Sequence, residues 1–311
     1  MSKISKNKLQ FEFTSEQAQK IQRLHLPPSW LVWKPFLHLT FLMIFFIFTS
    51  FSSSFIRGFF QVLAASQLLS LYTLMHQASH GSLSKINRVN NGVGILLGTI
   101  LGTTFSGYRA SHLLHHKHLR TSADPQEVVY FGEGRKVFSA FKLLFASFFG
   151  AVVFIWVRVP TIGLKNCSKK QILIELATAL LVHLFIFGGL ILGGKLMVVI
   201  PSIIIAIVWG SMVDIVYHQG LSHNGDCSSL RSLYSYGFGF LVLNGENWHA
   251  EHHAFPKVPG TYLSILHEII GPKLKEAGTK YEKGFFVAFM KGLFENPFFL
   301  PIEIPKIKFS K

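Results

Sequence analysis

Charged side chains are scarce in this sequence. Asp, Glu, Lys and Arg make up 14% of the 311 residues, against roughly 25% in typical soluble proteins, and half of all residues are hydrophobic. Long stretches contain no charged residue, and the mean hydropathy is +0.39. This composition excludes an ordinary soluble protein. It predicts one membrane domain, with no room for a large soluble partner domain.

Cysteine is nearly absent as well. Cys167 and Cys227 form no CxxC pair and no disulfide framework, so we expect free thiols in a reducing compartment. The first 34 residues are polar and basic and lack an apolar region, so they do not resemble a signal peptide. We predict a cytoplasmic N-terminal arm over residues 1–35 and a membrane-bound domain over residues 36–311.

Four stretches are apolar and long enough to cross a bilayer, which takes about 20 residues per helix. They are Phe36–Ile56, Gly58–Met75, Ile172–Leu192 and Leu196–Tyr217. Their short connections predict two helical hairpins, and hence an all-α integral-membrane fold with four transmembrane helices. Asn91–Phe105 is too short to span, and Val137–Val157 contains Lys142. The first is predicted to be re-entrant or interfacial, and the second is predicted to be an interfacial amphipathic helix.

The distribution of basic residues indicates the orientation. With four spans, all of the 30 lysines and arginines except Arg57 and Lys195 fall on the side that holds both termini. Enrichment in Lys and Arg marks the cytoplasmic side. The net charge of +15 therefore faces the anionic lipids of the cytoplasmic leaflet. This interpretation argues against nucleic acid as a partner.

Eight of the 15 histidines fall in three short clusters. The clusters are His76 with His80, then His112 with His115 and His116, then His249 with His252 and His253. Residues spaced by three or four share one helix face, so these imidazoles can converge on one point, as metal ligands do. His218 ends the fourth span on the same side of the membrane and is predicted to be a ninth ligand.

The number of histidines indicates more than one metal. Nine imidazoles exceed the four ligands of a tetrahedral zinc site, so two metals are implied. Imidazole suits iron, copper, zinc and nickel, which leaves the metal open at this point. Asp214 lies four residues before His218, on the same helix face. We predict that its carboxylate is catalytic and binds a metal or a metal-bound water.

Other polar residues near the clusters are predicted to support the ligands. Carboxylates usually orient metal-binding imidazoles, and Asp124, Glu246 and Glu251 are candidates. Asn247 and His118 are further residues expected to surround the ligands. His183 lies in the middle of the third span, where an ionisable group is often functional. We interpret it as a neutral ring in a structural hydrogen bond.

These residues resemble the integral-membrane fatty acid desaturase family and its hydroxylase and carotenoid-oxygenase relatives. That family has three histidine boxes, HxxxH or HxxxxH followed by two of the form HxxHH, in the order seen here. The flanking residues agree as well. They include Gly81-Ser82-Leu83, Asp124-Pro125, Asn247-Trp248 and Phe255-Pro256. The resemblance covers about residues 36–267. Asp214 is a departure, because the family element has Asn or another polar residue four positions before a ligand histidine.

The resemblance implies four spans and a cytosolic, histidine-rich cap that holds two ferrous ions, with O2 as co-substrate. Electrons would come from an external ferredoxin or cytochrome. The implied reaction is desaturation of the acyl chain of a lipid, an acyl-CoA or an acyl carrier. Hydroxylation or ketolation of a lipid or carotenoid remains an alternative. A membrane metal transporter is a less favoured alternative, because its ligands would lie in mid-bilayer rather than at helix ends.

Overall fold

The computed structural model describes residues 2–5, 10–51, 53–121, 123–126, 149–150, 152–222, 224–235 and 237–294. The longer helices are α1 (Ser15–Leu24), α2 (Lys34–Phe51), α3 (Ser54–His80), α4 (Asn87–Ile100), α5 (Phe105–His118), α6 (Val159–Asn166), α7 (Lys169–Leu192), α8 (Leu196–His218), α9 (Phe238–Leu243), α10 (His249–Ala254), α11 (Leu263–Glu276) and α12 (Phe285–Phe294). The strands are β1 (Ser2–Ser5), β2 (Gln10–Phe13), β3 (Arg231–Leu233) and β4 (Lys280–Glu282).

Four candidate membrane spans lie among the described residues. Three are the helices α3, α7 and α8, and the fourth is the segment Ser15–Phe51, whose apolar part is α2. The chain is therefore a helical membrane protein, as its composition predicts. The largest difference from the sequence prediction concerns α3. This helix begins at Ser54, so the expected turn residue Arg57 lies inside it, and it continues through the first histidine box to His80.

The outer surfaces of the spans are strongly apolar. Leu192 is 91% exposed, Phe55 is 89% exposed and Phe185 is 84% exposed. Apolar surface costs roughly 25 cal/mol per Å² when it is left in water, so a continuous surface of this kind is unfavourable in a soluble protein. A lipid environment removes that cost.

The two predicted interfacial segments differ in how far the structure describes them. Helix α4 has 14 residues and is about 21 Å long, which is too short for a hydrocarbon core of about 30 Å. Most of the predicted Val137–Val157 helix, residues 137–148, lies outside the described residues. Its last residues belong to a π-helix, Phe154–Arg158, which leads directly into α6.

Helix α3 is central to the fold, since it packs against α2, α4, α5 and α8. Its first ten residues are largely exposed, whereas the second half, from Ala64 to His80, is mostly buried. The helix ends at Gly81, whose φ of +72° is a left-handed conformation that glycine adopts without strain. The histidines at the end of α3 are therefore held in a buried position.

A buried carboxylate on α7 fixes the start of α5. Glu175 is 5% exposed and accepts hydrogen bonds from the backbone N–H of Ser106, at 3.0 Å, and from its hydroxyl, at 2.5 Å. The first N–H groups of a helix have no partner within the helix, and an acidic group there also interacts favourably with the helix dipole. Glu175 thus joins a membrane span to the helix that carries the second histidine box.

The cap beside the histidines is built from short elements of the C-terminal part and from the N-terminal segment. Strand β3 pairs in parallel with β4, with Ser232 opposite Tyr281. Phe13 and Ile21 belong to the same buried cluster as Trp248. The N-terminal segment therefore packs against the cap. The division of the chain at residue 35 stays a prediction.

Candidate metal centre

The nine predicted histidines form two adjoining groups. Within each group, one ligand atom per residue lies within 4.8 Å of every other ligand atom. The first group contains His76, His80, His112, His116 and His252, and the second contains His115, His218, His249 and His253. All three boxes contribute, because α3, α5, α8 and α10 meet at one place. The groups touch where the His116 and His253 rings stack at 4.1 Å.

The ring nitrogens approach one another as ligands of a common cation do. Nε2 of His112 lies 2.8 Å from Nε2 of His80, and Nε2 of His218 lies 2.9 Å from Nε2 of His249. A metal–imidazole bond is about 2.0–2.1 Å long, so two ligands at right angles have nitrogens about 3 Å apart. The observed spacings match that geometry.

The outer ring nitrogens show which tautomer is present. Nδ1 of His115 lies 2.9 Å from Asp124 Oδ2, and Nδ1 of His218 lies 3.2 Å from the carbonyl oxygen of Ser229. Both oxygens are acceptors, so each Nδ1 carries the proton and the opposite Nε2 has a free lone pair. Several such lone pairs facing each other repel unless a cation lies between them. The donor set therefore fits a metal, with the carboxylate–imidazole support common at such sites.

The electrostatic environment favours the neutral form of five of the rings. Burial lowers the pKa of five histidines, two on α5 and three on α10, well below the usual value. Neighbouring imidazoles lower the pKa of these residues further. These residues are His112, His116, His249, His252 and His253. Metals bind imidazole in its unprotonated form. The site is thus prepared to bind metal at neutral pH.

The other predicted site residues lie at different distances from the rings. Asp124 is buried and contacts His115, as described above. Glu251 is fully buried, but it accepts hydrogen bonds from Ser232, His267 and Tyr281 and from none of the nine histidines. These hydrogen bonds link α10 to β3, α11 and β4.

The hydrogen bonds of Asn247 and His118 connect neighbouring segments of the chain and do not involve the ligand rings. The Asn247 amide donates to the carbonyl oxygen of Leu233 at 2.9 Å, which ties the third box to β3. The carbonyl oxygen of His118 accepts hydrogen bonds from the backbone and hydroxyl of Thr121. Both residues position segments next to the site.

Glu246 is the acidic residue nearest to the first group. Its Oε2 lies 3.5 Å from Nδ1 of both His76 and His252. Burial raises the pKa of the Glu246 carboxyl to about 8, while a hydrogen bond from Gln77 and the charge of Lys34 oppose that shift. The positive charge of a bound metal would oppose it as well.

Three tyrosines adjoin the histidines and were not predicted. Tyr217 stacks on His249 with ring centroids 4.1 Å apart, and Tyr108 lies parallel to His112 at 5.7 Å. Tyr72 donates a long hydrogen bond, 3.4 Å, to Asp214. A signal was present in the sequence, because Tyr72 and Tyr108 each lie four residues before a box histidine, as Asp214 lies before His218.

Two cavities meet at Asp214. A cavity of about 30 Å³ is lined by His76, His112, His115, His218 and His249, among other residues. A larger one of about 230 Å³ extends between α3, α7 and α8 and is lined mainly by apolar side chains. Tyr72 and Asp214 line both cavities. Asp214 is therefore beside the histidines, but outside both ligand groups.

Comparison with known proteins agrees with this architecture. The chain is 23% identical over 248 residues to an endoplasmic reticulum omega-3 fatty acid desaturase from Vigna radiata var. radiata. The alignment covers 69% of this chain and 64% of that relative. The family model described as fatty acid desaturase matches residues 52–285, which include all three histidine boxes and the four helices that carry the rings. The chain therefore belongs to the fatty acid desaturase family.

Proposed function

We propose that this protein is a membrane di-iron oxidoreductase that uses O2 and external electrons to desaturate an acyl chain. The observation that carries the proposal is the convergence of nine histidine rings in two adjoining groups with ligand-like spacing. Membership of the family supports iron as the metal and an acyl lipid, acyl-CoA or acyl carrier as the substrate.

The larger cavity supports a long apolar substrate. Its walls include Leu68, Ile100, Ile203 and Ile207, and it reaches the histidine site at Asp214. An acyl chain lying there would have its methylene groups in an apolar, water-excluding environment. Its polar head would remain on the cytoplasmic side, where the basic residues of the cap and the anionic lipid surface lie.

Each part of the site then has a role. Activation of O2 and removal of hydrogen from an unactivated methylene are the chemistry that a bound iron pair supplies. The nine Nε2 atoms would hold the ions. Asp124 would keep the proton on Nδ1 of His115 and so orient that ring, and Glu246 lies 3.5 Å from Nδ1 of His76 and of His252. Tyr72 and Asp214 lie at the junction of the two cavities, where they would position the reacting part of the chain.

The proposed topology has two hairpins, both termini and the active site on the cytoplasmic side, and an interfacial segment before α6. An external ferredoxin or cytochrome would then dock on the basic cap. A single cysteine introduced near Lys165, in an otherwise cysteine-free chain, should be labelled only from the cytoplasm. Labelling from outside would show that residues 137–157 span the membrane and would overturn this orientation.

The proposal is tested by expressing the full chain in a host and analysing its lipids. New double bonds, together with two irons per purified chain by elemental analysis, are the expected result. The matched control is His112→Ala, which should abolish the new product. A single zinc per chain, or a lipid profile identical to that of the control, would contradict the proposal. A new hydroxyl group without unsaturation would reassign the reaction to hydroxylation.

A further inference from the structure

The larger cavity has hydrogen-bonding groups at a second place, away from the histidines. Besides Tyr72 and Asp214, its lining includes His183 on α7 and Trp156 in the π-helix Phe154–Arg158. The other residues of α8 that line the cavity are Ile203, Ala206, Ile207 and Gly210, which have no hydrogen-bonding side chain. A purely apolar chain needs no hydrogen-bonding group in this part of the cavity.

The second polar place lies away from the metal site along α7 and α8. Helix α7 ends and helix α8 begins at the same short connection, residues 193–195. At 1.5 Å per residue, His183 lies about 15 Å and Asp214 about 28 Å along its helix from that connection. The distance from the His183–Trp156 pair to the end of the cavity that meets the metal site is therefore at least roughly 10 Å.

The hydrogen-bonding state of His183 is set within its own helix. Its Nδ1 lies 2.8 Å from the carbonyl oxygen of Ala179, one turn earlier, so Nδ1 is the donor. In the neutral ring Nε2 is then an acceptor, whereas the indole N–H of Trp156 is a donor only. No hydrogen bond among the described residues uses either nitrogen.

These two nitrogens lie close to each other, because both rings pack beside Gly102. A β carbon built on Gly102 would lie 3.3 Å from Trp156 Nε1 and 3.5 Å from His183 Nε2. A side chain at Gly102 would crowd both rings, and the φ of +71° also disfavours other residues at this position. The π-helix that carries Trp156 is a rare conformation that occurs mostly at functional sites.

A donor and an acceptor that lie close together in the lining of one cavity are complementary to a hydroxyl group, which both accepts and donates. We infer that His183 and Trp156 bind a hydroxyl on the part of the substrate farthest from the reacting carbon. This inference rests on the proposed function and narrows its substrate class to long apolar chains with a distal hydroxyl. A plain methyl terminus offers neither nitrogen a hydrogen-bond partner, so a terminus with a hydroxyl should bind more tightly.

The inference is tested by direct binding, which does not depend on turnover. The probes are matched pairs of fatty acids, for example hexadecanoic and ω-hydroxyhexadecanoic acid, over a series of chain lengths. Isothermal titration calorimetry would use the full chain in detergent micelles, with empty micelles as the blank. At the chain length that reaches His183, the hydroxylated acid should bind about tenfold more tightly than its partner, from two hydrogen bonds.

Variants assign that preference to the two nitrogens. His183→Phe and Trp156→Phe should each remove most of the preference, with little change in the binding of the plain acids. The side-chain hydrogen bond of His183 is within its own helix, so its loss breaks no hydrogen bond between helices. Ile203→Ala is the matched control, since it enlarges the same cavity without removing a hydrogen-bonding atom. It should weaken both probes equally.

Equal binding of both acids by the unaltered protein at every length would overturn the inference. So would a preference that survives in both the His183 and the Trp156 variant, because the hydroxyl would then bind elsewhere. Either outcome leaves the proposed desaturation untouched, since that is decided by the lipids of the expressing host. Conversely, a clear hydroxyl preference without new double bonds would preserve this site and refute the proposed reaction.

Discussion

The two histidine groups differ in ligand number and in what holds their rings. The first has five histidines, and its nearest carboxylate, Glu246, lies 3.5 Å from two of them. Nδ1 of His112 and His116 has no hydrogen-bond partner among the described residues. The second group has four histidines, and Asp124 contacts His115 more closely, at 2.9 Å.

For the proposed di-iron enzyme, this difference predicts that the two metals have different roles. A metal with fewer protein ligands keeps positions open for water or O2, as catalytic sites do. Three members of the four-histidine group, His115, His218 and His249, line the small cavity that adjoins Asp214. We therefore expect the more open and more reactive position to be at the second group.

The largest effect should come from removing a ligand of the smaller group. His218→Ala leaves three histidines there, whereas His116→Ala leaves four in the first group. We expect His218→Ala to lose one iron and all measurable turnover, and His116→Ala to retain more metal. Elemental analysis with a product assay measures both. Equal metal loss in the two variants would show that ligand number does not distinguish the groups.

Asp214 should affect turnover without affecting metal content. It lines both cavities but belongs to neither ligand group. Asp214→Ala should lower turnover by roughly a hundredfold, a typical size for a lost positioning group, and Asp214→Asn should lower it less, because the amide keeps a polar oxygen. Iron should stay at two per chain. Loss of iron from Asp214→Ala would make the carboxylate a ligand, and full activity would make it only an interfacial anchor.

Removing a carboxylate beside the rings should have a smaller effect, and the loss of metal affinity should differ between the two groups. Asp124→Ala removes a close partner of His115 and should weaken metal binding by about 10- to 100-fold. Glu246→Ala should have a smaller effect, since its contacts are longer. Competition with a chelator measures both affinities. Glu251→Gln is the control, and its metal affinity should be unchanged. A larger effect at Glu246 would reverse the assigned order of support.

The smallest effect should come from removing Glu175, and it should reach both histidine groups. Helix α5 supplies His112, His115 and His116, and Glu175 caps its start. Glu175→Ala should lower the free energy of unfolding by about 1 kcal/mol, as the loss of a helix cap does. Thermal unfolding in detergent measures this change. Glu175→Gln keeps an acceptor and should be milder. A selective loss of metal from one group would argue against a shared role for α5.

The spans and the histidine clusters were accessible from the sequence, because both depend on local repetition. Hydrophobic length predicts a membrane helix, and spacing by three or four places side chains on one helix face. The same rule could have predicted that Glu251 does not contact His249. Glu251 lies two residues after His249 and therefore points away from the helix face that carries this ligand. Tyr72 and Tyr108 were likewise detectable as residues one turn before a ligand.

What the sequence by itself determined is the class of membrane protein, the four apolar segments and which histidines share a helix face. The tertiary structure decided how the nine rings divide into five and four, since that depends on where α3, α5, α8 and α10 cross. It also directed Glu246 toward His76 and His252, through a turn in which Asn244 and Gly245 both have positive φ. Tertiary packing likewise brings His183 and Trp156 together beside Gly102. Side chains far apart in the chain meet only when helices pack, and no local periodicity encodes that distance.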